Sequence, residues 1–96
     1  MNRAEVLDLL ARNKPTLVAR FGVDRLALFG STARDAARAG SDIDILVSFD
    51  GPSTSERYFG VQFFLEDLLG RPVDLVTDKA LRPELRPFVE REAVHV

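Results

Sequence analysis

The sequence predicts an α/β (α+β) fold, in which helices pack on a small mixed β-sheet. Three observations carry that prediction. Short apolar runs with strand character recur at residues 26–29, 42–47 and 73–76. Two longer stretches, residues 3–20 and one ending at Leu69, repeat apolar side chains at helical spacing. Glycine and proline punctuate the boundaries, at Gly22 and at Gly70 followed by Pro72.

The elements follow in order. Val6, Leu9, Leu10, Leu17, Val18 and Phe21 mark the apolar stripe of a helix over 3–20. Pro15 predicts an interruption or kink, with Asn13 as cap of a second segment. Gly22 ends the helix, and Asp24 and Arg25 lead into the strand at 26–29. Residues 32–38 read as a short helix closed by Ala39, Gly40 and Ser41, and a strand follows at 42–47. Residues 50–55 form a polar loop, either a plain connector or a lip beside a site. Ser53, Thr54 or Ser55 caps the next helix, whose apolar face is Tyr58, Val61, Phe64, Leu65 and Leu68. Its aromatic members read as core rather than as a stacking platform. Residues 73–76 are a third strand. Pro83 and Pro87 break the last helical region into a turn and a helix around 87–92, and residues 93–96 read as an edge strand. Lys79, Arg82, Arg86 and Arg91 give that region a basic side, which is a solvated face or a surface for an acidic partner or triphosphate.

Composition narrows the function classes. The 96 residues correspond to one small domain, 1–96, and 46% apolar residues suffice for a modest core. With no cysteine and a single histidine, His95, disulfide frameworks, zinc–cysteine sites and Ser-His-Asp triads are not expected. No apolar run is long enough to span a bilayer and no signal peptide opens the chain, which makes the cytoplasm the expected compartment and membrane partners unexpected. A net charge of −2 argues against unaided binding of nucleic acid.

The chemistry concentrates between Gly30 and Asp44. Residues two apart on a strand share a face, so Asp42 and Asp44 project together while Ile43, Ile45 and Val47 project to the core. Adjacent carboxylates repel, and a hard divalent cation such as Mg²⁺ relieves the conflict. The plainer reading makes Gly40–Asp42 a turn and Asp44 a solvated strand residue. Gly30 and Ser31 sit where a strand runs into a helix, an arrangement that presents unpaired N–H groups to an anion. Ser31 is a phosphate ligand or simply the helix cap. Arg34, one turn on, reaches a phosphate or a carboxylate, or lies on the surface. Asp74 is the lone charge in its apolar run; if its strand lies beside 42–47, it faces Asp42 and Asp44, and otherwise it faces water.

Gly30-Ser31, ten intervening residues, then Asp42-x-Asp44 resembles the signature of the DNA polymerase beta nucleotidyltransferase superfamily. Thr32-Ala33-Arg34 is similar to the subgroup of minimal nucleotidyltransferases, or MNT proteins, although Asp35 stands where that subgroup usually has glycine. The resemblance implies a nucleotidyltransferase fold and transfer of AMP from ATP with release of pyrophosphate. It implies that Asp42, Asp44 and Asp74 hold two Mg²⁺ ions (Mn²⁺ as a substitute), about 3.5–4 Å apart in such sites. Asp74 matches the third carboxylate and would also accept the acceptor's proton, while Gly30, Ser31 and Arg34 bind the nucleotide. Nothing in 96 residues serves as a second domain for the acceptor. In this family the acceptor is typically a HEPN ribonuclease toxin, with the nucleotidyltransferase as its antitoxin, modifying a toxin tyrosine. Two alternatives stay open, an antitoxin that acts by contact alone and a transferase for a small molecule such as an antibiotic.

Overall fold

The computed structural model describes residues 1–38 and 40–96. Residue 39, part of the segment expected to close the second helix, lies outside the described residues. The elements are α1 (Arg3–Phe21), β1 (Val23–Phe29), α2 (Gly30–Ala33), β2 (Ile43–Phe49), α3 (Ser55–Leu69), β3 (Val73–Thr77), a 3₁₀ turn (Asp78–Ala80), α4 (Arg86–Glu92) and β4 (Val94–His95). They form a mixed sheet of strand order β3-β2-β1-β4, parallel between β2 and β3 and antiparallel elsewhere.

The main core lies under α1 and α3. Val6, Leu10 and Leu17 of α1 and Val61, Leu65 and Leu69 of α3 pack on Leu26, Leu28, Ile43, Ile45, Val47, Val73 and Leu75. On the opposite face Ala27, Leu46 and Leu81 make a smaller cluster, bordered by Val89 and Ala93 at α4. Strand alternation therefore holds, but both faces are covered, and the expectation of a single core face for β2 is too simple.

Several expectations are corrected. Helix α1 runs unbroken through Pro15. Proline removes one intrahelical bond, but Leu10 and Leu17 on either side are fully buried, and such tertiary packing outweighs one missing bond. Asn13 caps no second segment; its amide donates to the Leu9 carbonyl at 2.8 Å, within the same helix. The helix expected over 32–38 is the single turn α2. Asp35 takes a left-handed φ of 57° and stops it, with its N–H on the Thr32 carbonyl and the Ala36 N–H on the Ser31 carbonyl. Asp24 and Arg25 lie inside β1, which begins at Val23, whereas β2 begins at Ile43 and leaves Asp42 just outside.

Helix α3 also closes the open edge of β3. Tyr58 donates to the Leu75 carbonyl at 2.6 Å, Gln62 donates to the Val73 carbonyl at 3.4 Å, and Glu66 accepts from the Val73 N–H at 3.0 Å. These side chains recur every four residues, one helical face, and occupy the edge groups that would otherwise pair with another strand. Thr54 caps α3 through the Arg57 N–H, and Gly70 at φ 65° ends it.

Candidate active site

Strand register assembles the site. The β1–β2 pairing sets Phe29 opposite Asp44, and the β2–β3 pairing sets Asp74 on the other side of Asp44. Opposed residues of neighbouring strands share a face about 5 Å apart, so the two carboxylates stand side by side. Asp44 is half-buried and Asp74 exposed. Burial above all, then the charge of Asp74 and a hydrogen bond with it, then the charges of Asp42 and Glu92, push the Asp44 carboxyl up from 3.8 to about 6.

Asp42 is exposed, and its neighbours on both sides are tethered. Arg71 donates to the Ser41 carbonyl at 2.9 Å, and the Ile43 N–H donates to the Pro72 carbonyl at 3.0 Å. The α3–β3 connection thus holds the segment that carries Asp42. Sequence reading did not single out Arg71.

Gly30 meets two constraints at once. Its φ is 73°, and a side-chain carbon there would collide with the Asp44 carboxylate. The loop therefore passes directly over the Asp44 carboxylate. The position before α2 is Phe29, with no side-chain cap, so the capping reading of Ser31 does not hold. As α2 is one turn, a summed helix dipole is negligible there, and anion binding must rest on individual donors. Arg34 does reach a carboxylate. Its guanidinium donates to one oxygen of Glu92 at 2.6 Å, while the Gly30 N–H donates to the other at 3.1 Å. Glu92 was missed. The signal was indirect: pairing residues 93–96 with 26–29 would have carried position 92 to Gly30.

The polar loop after β2 is a connector rather than a lip. It follows the far end of the strand from Asp44, six residues or about 20 Å away at strand rise. A cavity of about 450 Å³ opens there, lined by Ser53, Tyr58, Phe59, Val76, Thr77 and Ala80 among others, and none of the three aspartates borders it.

The donor set suits a hard divalent cation: oxygen ligands only, on one side of the sheet, with a charge conflict visible in the raised Asp44. Among the described residues no three such side chains already form a cage.

Comparison with known proteins agrees with this geometry. The nucleotidyltransferase domain family model matches residues 10–96. The protein adenylyltransferase MntA of Thermococcus cleftensis is 38% identical over 92 residues, covering 96% of this chain and 93% of that protein. A solved structure described as a proposed minimal nucleotidyltransferase is 41% identical, with a TM-score of 0.79 over 98% of this chain and 95% of the other. A chain in the solved structure of a tri-AMPylated Shewanella oneidensis HEPN toxin in complex with MNT antitoxin shares the fold, at 23% identity and a TM-score of 0.60, over 98% of this chain and 67% of that one. With sequence match, fold and the spacing of the loop and carboxylates in accord, the chain belongs to the nucleotidyltransferase domain family, among its minimal members.

Proposed function

We propose that the 96 residues act as one antitoxin domain that transfers AMP from ATP to a tyrosine of a cognate HEPN ribonuclease toxin in the cytoplasm. The observation that carries this reading is the register that sets Asp74 beside Asp44 under the Gly30 turn. Support for a protein acceptor comes from the relative named protein adenylyltransferase.

Asp42, Asp44 and Asp74 would hold Mg²⁺, whose charge neutralises the triphosphate and the carboxylates together. Gly30, lacking a side chain, lets phosphate approach the backbone. The Ser31 hydroxyl, not engaged as a cap, donates to a phosphate oxygen, and Arg34 supplies a cation beside it. The tyrosine oxygen forms a bond to the α-phosphorus as the bond to the β-phosphate bridging oxygen breaks, and pyrophosphate leaves. Asp74, the exposed member of the pair, takes the phenolic proton. Positioning and charge neutralisation supply most of the rate.

Label transfer tests the reading. With ATP labelled at the α-phosphate, the HEPN toxin proposed as this chain's partner should acquire label; with label at the γ-phosphate it should not. Changing the acceptor tyrosine to phenylalanine should abolish the signal. Label that reaches only small molecules would favour the antibiotic-type transferase instead.

A further inference from the structure

Glu92 is held where the nucleotide's phosphates are proposed to sit. It is the last residue of α4, and β4 follows after Ala93. Pairing of β4 with β1, Leu28 against Val94 and Ala27 against His95, brings the end of α4 to the turn just beyond Phe29. There each Glu92 oxygen takes one donor, the Gly30 N–H at 3.1 Å and the Arg34 guanidinium at 2.6 Å. A carboxylate forked between an amide and a guanidinium has the charge and the oxygen spacing of one edge of a phosphate group. The two donors cannot serve Glu92 and a phosphate in the same way at the same time.

We propose that Glu92 is an internal occupant of the phosphate site, a latch that a triphosphate must displace in order to bind. This deepens the adenylyl-transfer reading and rests on it. The latch is built to yield. The Arg34 side chain is 55% exposed and that of Glu92 29%, so water screens the pair and its hold is modest. Glu92 also borders a hollow of about 290 Å³ with Phe88 and Arg91, into which its side chain turns once released. Its anchor, β4, is only two residues long.

A latch lowers apparent affinity by the fraction of time it is closed. Closure for about 80–90% of the time corresponds to a gain of about 5–10-fold in affinity when the latch is removed. The test is calorimetric titration of the wild-type chain, Glu92→Gln and Glu92→Ala with AMP-PNP and Mg²⁺, and separately with inorganic pyrophosphate. Glu90→Gln serves as the control, because it removes the same charge from the same helix but faces Arg86 instead. We expect both Glu92 variants to bind both probes about 5–10-fold more tightly, and Glu90→Gln to match wild type. Should Glu92→Ala fail to fold, the near-isosteric Glu92→Gln decides. Equal or weaker binding in the Glu92 variants, with wild type still binding, makes Glu92 a support for Arg34 and overturns the latch while leaving the transferase reading intact. An equal gain in Glu90→Gln also overturns it, by showing a general charge effect. No binding of either probe to any of the proteins overturns both.

Discussion

Asp44→Asn isolates the electrostatic cost of the site. Asp44 is held at about 6 against an ordinary 3.8, chiefly by burial and by Asp74. Below the ordinary value the carboxyl is protonated in both folded and unfolded chains and costs nothing. Between 3.8 and about 6 the unfolded chain releases its proton while the native chain retains it, so stability falls as pH rises across that window and stays low above it. Without screening the loss is roughly 3 kcal/mol, at about 1.4 kcal/mol for each pKa unit. Because Asp44 is partly open to water, a discounted figure of roughly 1–2 kcal/mol is expected. Asparagine keeps the shape and removes the charge. In metal-free buffer at pH 8 the variant should melt about 5–10 °C above wild type, the shift that such an energy gives a domain of this size. At pH 3.5 the two should melt together, and adding Mg²⁺ at pH 8 should stabilise wild type more than the variant. Transfer activity should be lost. Calorimetric melting in EDTA at both pH values measures this. A variant less stable than wild type at pH 8, or equally stabilised at both pH values, would refute the reasoning.

Gly30→Ala should cost about 1–3 kcal/mol through its left-handed backbone and the collision with Asp44, and should also remove activity, as urea unfolding and label transfer would show. Ser31→Ala should leave stability nearly unchanged, because Ser31 is not the cap, while weakening AMP-PNP binding by roughly 1–3 kcal/mol in a titration. The reverse pattern would return Ser31 to a structural role. Asp35→Gly should stabilise by up to about 1 kcal/mol by relieving φ 57°, less the loss of its 3.3 Å hydrogen bond from the Arg3 N–H at the start of α1. A net loss in urea unfolding would show that this cap outweighs the backbone strain.

The parts of the site that were legible in the sequence are those written in local pattern. Period-two alternation placed Asp42 and Asp44 away from the core, and Asp74 stood out as the one charge in its strand; the register then paired Asp44 with Asp74. Gly30 was legible because close approach leaves few alternatives to glycine. The misses have physical causes. Pro15 reads as a break wherever tertiary packing is ignored, and the packing of Leu10 and Leu17 decides otherwise. The early stop of α2 was hidden because aspartate, not glycine, takes the left-handed position at residue 35. Glu92 and Arg71 act through contacts 58 and 30 residues away in sequence, which no local pattern records.

Intact mass spectrometry of the HEPN toxin proposed as this chain's partner tests the central claim most directly. After incubation with the wild-type chain, ATP and Mg²⁺, the toxin should gain whole adenylyl increments that peptide mapping assigns to tyrosine, and Asp42→Ala should add none. An unmodified toxin that both wild type and Asp42→Ala still neutralise in cells would contradict the account and leave neutralisation by contact alone.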